Sequence, residues 1–218
     1  MARRIVVVGT GTEIGKTHVT CCMLAAARAF HVRAGGYKPI ATGFDALCED
    51  AELHASASGR PYVAPTYGYR RPVSPHLAAR EESRPIDIDV IRARADELAE
   101  GLDVQIVESA GGLFTPIGRD LANADLVRAL APATILLVAP DRLGVLHDVG
   151  ATIRAARAAG LATPIVALST PDPADGTTGT NAAELVNVGL AEEPVVFPRA
   201  RFDAPASVTA GELVLRRA

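Results

Sequence analysis

Runs of β-branched apolar residues alternate along this chain with longer stretches whose apolar positions recur at helical spacing. Ile5-Val6-Val7-Val8 is a continuous apolar run suited to a strand buried on both faces, and Thr17–Phe30 follows with a helical pattern. Ala34-Gly35-Gly36-Tyr37-Lys38-Pro39 reads as a short strand running into a loop, stopped by Pro39, which has no ladder donor. Glu49–Ser58 predicts a short helix ended by Gly59. Arg60 to Pro75 contains Pro61, Pro65, Pro72 and Pro75, so a long irregular connection is expected there, of the kind that serves as a lid or substrate loop. Ser74 predicts a cap, with Pro75 at the first position of a helix reaching about Glu82. Asp87 or Asp89 opens the next helix, to about Glu100, with Val90, Ile91 and Leu98 on one face.

Val104–Glu108 is a second clear strand, Asp120–Leu130 a helix, Thr134–Ala139 a third buried strand, and Leu146–Ala159 a helix ended by Gly160. Pro164–Leu168 is a fourth strand, Pro171–Gly179 a turn-rich loop, Asn181–Leu190 a helix and Val195–Phe197 the final strand, ahead of Pro198. Strand alternating with helix predicts the α/β class, a parallel β-sheet flanked by helices on both faces. Ligands of such sheets lie at the carboxyl ends of the strands. Lys16, Lys38, Glu108 and the 171–179 loop all follow strand ends and are expected on one rim.

Composition narrows the reading. The chain has 218 residues, enough for one sizeable core, and one domain over residues 1–218 is expected. Apolar residues make up 49% and aromatics only 4%, with abundant alanine, which suits helices packed closely on a sheet. A formal net charge of -3 gives no ground for general affinity to nucleic acid or an anionic membrane, and no apolar stretch approaches spanning length. Cys21, Cys22 and Cys48 fit no metal-ligand or redox spacing. A reducing, cytoplasmic setting is expected.

The chemistry begins between the first strand and first helix. Gly9 to Thr17 reads Gly-Thr-Gly-Thr-Glu-Ile-Gly-Lys-Thr. A strand, a glycine-rich turn and a helix N-terminus make an anion site, because the first-turn N–H groups are unpaired and the helix dipole favours negative charge. Lys16 adds a cation for terminal phosphates, and Thr17 is placed to hold Mg²⁺. The strict phosphate-loop pattern needs glycine at position 10, where this chain has Thr10. Glu108 ends an apolar strand before Gly111-Gly112 and can hold Mg²⁺ opposite the phosphates. Lys38 could reach the same pocket and steady a transferred phosphoryl group. Taken alone, Asp50 reads as a helix cap or dipole partner, and His76 as a packed or capping histidine. Glu13 is out of place in a phosphate loop unless it faces Mg²⁺ or an amine.

Together with that loop, Gly36-Tyr37-Lys38-Pro39-Ile40-Ala41-Thr42-Gly43, Ser74-Pro75-His76 and Val107-Glu108-Ser109-Ala110-Gly111-Gly112-Leu113 resemble dethiobiotin synthetase, of the P-loop NTPase superfamily, in order and spacing from Met1 to about Leu143. The resemblance accounts for the early glycine, which is that family's own. It implies an ATP- and Mg²⁺-dependent cyclo-ligase of biotin synthesis. Such an enzyme carboxylates 7,8-diaminononanoate with CO₂, phosphorylates the carbamate and closes a cyclic urea. By position, Thr12, Glu13, Ile14, Gly15, Lys16, Thr17, His18, Glu108, Gly111, Gly112 and Pro198 would border the nucleotide. Thr17, Asp50 and Glu108 would hold the metal, which replaces the capping role for Asp50. Thr12, Lys38 and Thr42 would border the carbamate, with Lys16, Lys38 and Thr12 as the catalytic set. A homodimer is implied, with the diamine tail at the subunit interface and no nucleic acid or membrane partner.

Three positions depart from the family. Ser109 replaces a glycine and is tolerated if its φ is negative. His147-Asp148 stands where an Asn-His pair holds the substrate carboxylate, and Asp148 would repel it. Leu168-Ser169 replaces an Asn-Asp pair that reads the base, so other nucleoside triphosphates become candidates. Two rivals follow. One is a regulatory ATPase of the partitioning or septum-positioning type, whose signature lysine would stand at Gly11. The other is a nucleotide-binding paralogue with a decayed substrate side.

Overall fold

The structure is a computed structural model that describes residues 2–218; Met1, where the family resemblance starts, lies outside them. Eight strands and eight helices follow in the order β1 (Arg3–Gly9), α1 (Lys16–Ala29), β2 (Ala34–Tyr37), β3 (Ile40–Thr42), α2 (Glu49–Ser58), β4 (Tyr67–Tyr69), α3 (Pro75–Glu81), α4 (Ile88–Leu98), β5 (Val104–Gly112), α5 (Asn123–Leu130), β6 (Thr134–Pro140), α6 (Val145–Ala158), β7 (Ile165–Ser169), α7 (Asn181–Asn187), β8 (Val195–Phe197) and α8 (Pro205–Arg217).

Six strands form one sheet in the order β2-β5-β1-β6-β7-β8, every pair parallel. This is the α/β class that the alternating pattern predicts. β1 lies inside it, and its side chains alternate between two cores: Ile5 and Val7 meet α1 and α8, while Val6 and Val8 meet the layer built by α4, α5, α6 and α7. The chain reaches β2 and β5 on one side of β1, then crosses to β6 on the other. A crevice opens at the carboxyl ends of strands where the direction of crossover reverses in this way.

The differences from the sequence reading have physical causes. Val90 is 48% exposed, so the buried stripe of α4 runs through Ile91 and Ala95 instead. The helix expected from Asp120 starts at Asn123, because Pro116 bridges Ala122 and holds the preceding residues in a turn. The helix after Asn181 ends at Asn187. The proline-rich connection contains β4, which pairs with β3 as a small separate parallel sheet. Three-residue strands carry too little alternation to be seen locally, and their pairing is long-range.

Helix α8 has no counterpart in the sequence reading, although Ser207, Ala210, Gly211, Val214 and Leu215 form a buried stripe at helical spacing. Small residues mute its hydrophobicity, and they do so because α8 lies directly against α1. A Cβ at Gly211 would stand 2.7 Å from the carbonyl carbon of Cys22 and 2.9 Å from the nitrogen of Met23. Gly211→Ala must therefore push two backbones apart. It is expected to cost about 1–3 kcal/mol, read as a lower Tm in thermal unfolding. Gly176→Ala, where a Cβ meets nothing within 4 Å, should leave Tm unchanged and serves as the control.

Candidate active site

The loop from Gly9 to Thr17 is shaped by close packing at both ends. At Gly9 a Cβ would come within 2.7 Å of Ile14 Cδ1 and 2.9 Å of the Gly11 carbonyl, so the strand can turn this tightly only with glycine. At the far end Gly15 precedes α1 with φ 92°, and no side chain caps the helix. The first-turn N–H groups have no acceptor within the helix, which leaves them and the positive end of the dipole free for an anion. Lys16 curls back to donate to the Gly11 carbonyl at 2.8 Å and is buried. Burial, and then the nearby Lys38 charge, lower its pKa to about 8.

Four side chains, from α1, α2, β5 and the link after β2, meet beside this loop. Thr17 Oγ1 lies 2.7 Å from Asp50 Oδ1 and 2.9 Å from Glu108 Oε1. Lys38 Nζ, just beyond β2, lies 2.6 Å from Asp50 Oδ2 and 2.6 Å from Glu108 Oε1. Glu108 is fully buried in β5, which is possible for a carboxylate only when it is paired and hydrogen-bonded. Burial opposes its charge, yet Lys38 and His54 outweigh burial and hold its pKa far below the usual carboxylate range. Burial likewise opposes the Lys38 ammonium, while Glu108 and Asp50 outweigh that cost and raise its pKa. Two lysines and two carboxylates balance formally, so an arriving polyphosphate needs a further cation.

A cavity of about 640 Å³ gathers most of the residues singled out from sequence. Thr12, Glu13, Ile14, Gly15, Lys16, Thr17, Lys38, Thr42, Asp50, Glu108 and Gly111 line it. Glu13 is exposed at the edge of this cavity, with a left-handed backbone at φ 55°. Gly112, His18 and Pro198 do not line the cavity. Gly112 packs against the backbone of Gly9 and Thr10, and His18 Nε2 meets the Pro198 carbonyl at 3.0 Å, tying α1 to the end of β8. Asp50 lies in the first turn of α2, but its oxygens turn to Thr17 and Lys38, away from any capping role.

Ser109 keeps out of the positive-φ region, which is why a side chain is tolerated there, although its buried hydroxyl has no partner. Leu168 is wholly buried in the core and offers no polar atom to a base. Ser169 faces the loop instead and packs on Gly15. His147 and Asp148 are exposed in the opening turns of α6 and do not line this cavity. The residue that sequence reasoning missed is His54. It lies one turn after Asp50 on α2, and its Nε2 is 2.8 Å from Glu108 Oε2. The signal was available, since residues four apart share a helix face.

The oxygens of Thr17, Asp50 and Glu108 are all hard donors. Among the described residues, no group of three or more His, Cys, Asp or Glu could hold a metal by itself. That set suits Mg²⁺ arriving with phosphates and water, in place of an all-protein cage. No helix among the described residues is long and apolar enough to cross a membrane.

The chain matches the AAA domain family over residues 3–195. It is 38% identical over 207 residues to the ATP-dependent dethiobiotin synthetase BioD of Rhodopirellula baltica, covering 85% of this chain and 80% of that protein. It is 42% identical over 161 residues to the protein of the same name from Aromatoleum aromaticum, covering 70% and 71%. With BioD 1 of Escherichia coli the identity is 34% over 174 residues, covering 74% and 75%. Among solved structures, chloroplast FtsY from Physcomitrella patens superposes with TM-score 0.60 at 20% identity, covering 97% of this chain and 65% of that one. A ParA family ATPase from Chlorobium tepidum superposes with TM-score 0.59 at 13% identity, covering 100% and 93%. These two share the P-loop fold.

Proposed function

This chain belongs to the ATP-dependent dethiobiotin synthetases, and from that membership we propose how its own residues divide the work. It is an ATP-dependent ligase of biotin biosynthesis. The observation that carries the residue assignment is the junction of Thr17, Lys38, Asp50 and Glu108 beside the Gly9–Thr17 loop.

One amine of 7,8-diaminononanoate attacks CO₂ and loses a proton to give a carbamate. A carbamate oxygen then takes the γ-phosphoryl group of ATP, releasing ADP. The second amine attacks the carbamoyl carbon, expels phosphate and closes the cyclic urea. The N–H groups at the start of α1, with Lys16, hold the phosphates in place. Thr17, Asp50 and Glu108 would hold magnesium, which would supply positive charge to offset the phosphate oxygens. Lys38 stands at the boundary of the two substrates and stabilises the charge that develops on the transferred group and on the mixed anhydride. Thr12 and Thr42 line the side where the carbamate would lie.

The protein acts as one domain over residues 1–218, in the cytoplasm, as a homodimer. The apolar side chains Leu143, 77% exposed, and Phe114, 42% exposed, support a surface that a second subunit covers. His147 and Asp148, exposed beside Leu143, would then meet the partner's substrate tail. The test is phosphate release on adding 7,8-diaminononanoate, with and without bicarbonate. One phosphate per cyclic urea, absent without bicarbonate, is the expected result. Phosphate release that ignores both diamine and bicarbonate would overturn the reading.

A further inference from the structure

We propose that His54 is a positioning residue for the metal-binding carboxylate: its ring holds the far oxygen of Glu108 so that the near oxygen faces the phosphates. This rests on the metal role given above to Glu108.

The geometry divides the Glu108 carboxylate into two halves. Oε1 faces the cavity and meets Thr17 Oγ1 at 2.9 Å and Lys38 Nζ at 2.6 Å. Oε2 points the other way and meets His54 Nε2 at 2.8 Å. Glu108 is fully buried and His54 is 2% exposed, so no solvent can replace the ring as donor. Without that donor the carboxylate is free to rotate about its last side-chain bond, and Oε2 competes with Oε1 for Lys38 and Thr17.

Packing alone does not explain an imidazole at this place. Its Nδ1 is buried with no hydrogen-bond partner, a cost an aliphatic side chain would avoid. β2 also makes room for it: a Cβ at Gly36 would come within 2.9 Å of His54 Cβ and 3.0 Å of Cγ. Helix α2 thus delivers two groups to one centre, Asp50 directly and His54 from behind, one turn apart. Partners that orient a metal ligand in this way typically change metal affinity by about 10–100-fold when removed.

The experiment measures Mn²⁺ affinity by EPR, with a non-hydrolysable ATP analogue bound, in the full-length protein. His54→Leu fills the space without donating, and His54→Gln restores an N–H donor of similar reach. His54→Leu is expected to weaken Mn²⁺ about tenfold or more and to raise half-saturating Mg²⁺ in turnover, with kcat at saturating Mg²⁺ changed far less. His54→Gln should recover most of the loss. Equal weakening in both variants would mean that shape alone matters, and no weakening in either would mean that the contact is idle; both overturn the proposal. Should His54→Leu fail to fold, His54→Met takes its place against His54→Gln. Asp50→Asn separates this idea from the one beneath it. If Asp50→Asn leaves Mn²⁺ affinity intact, the metal assignment fails; if it weakens binding while the His54 variants do not, only the role of His54 fails.

Discussion

Lys38→Met is expected to lower kcat by about 10²–10³-fold, the usual loss when one preorganised charge at a developing anion is removed, and also to destabilise the fold. The two effects share a cause. Lys38 sits between Asp50 and Glu108 at 2.6 Å from each, and Glu108 has no access to water. Methionine matches the length of the side chain but leaves a buried carboxylate short of its counter-ion. Breaking a buried pair on one side typically costs about 3–5 kcal/mol; the half-exposed Asp50 contact adds little, because solvent screens it. Adding Glu108→Gln to Lys38→Met removes the stranded charge. Thermal unfolding should therefore show the double variant more stable than Lys38→Met, while turnover stays lost. A single variant with unchanged Tm and turnover would show that Lys38 neither balances Glu108 nor meets the reacting phosphoryl group.

Gly15→Ala is the second large effect, built from two separable costs. The residue has φ 92°, where any Cβ is strained, by about 1–2 kcal/mol. The added Cβ would also stand 2.8 Å from Ser169 Cβ and closer still to its hydroxyl, a clash with the end of β7. Overpacking of this kind costs a further ~1–3 kcal/mol, and relief must come by shifting the N-terminus of α1. ATP affinity and Tm should fall together in Gly15→Ala. Pairing it with Ser169→Ala removes the Oγ contact and should recover part of the Tm but not the strain of φ. Full recovery in the pair would mean that the left-handed backbone is not required at this position.

Much of this site can be read from residues near one another in sequence. The loop, the strand ahead of it and the helix after it form one local unit, and β-branched runs and helical spacing suffice to find them. Lys38 follows the end of β2 as its sequence suggests, but Glu108 does not end a strand: β5 runs on from Val104 to Gly112, because Ser109 to Gly112 continue the ladder beside β1. Asp50 is different, since an acid in a first helical turn has an ordinary local role and only the folded contact with Thr17 and Lys38 shows another. His54 carries one local clue, its four-residue spacing from Asp50, and that clue counts only once Asp50 is known to face the site. β3 and β4 are too short for any pattern, and α8 hides behind residues chosen for smallness. At Leu168-Ser169 the folded strand adds what spacing cannot: alternation sends Leu168 into the core and turns Ser169 to the loop at Gly15.

Helix α8 packs its backbone against that of α1 at Gly211, and α1 is the helix whose open end receives the phosphates. Loosening that seam would therefore shift the helix whose unpaired first-turn N–H groups form the anion site, although Gly211 lies far along the chain from the loop.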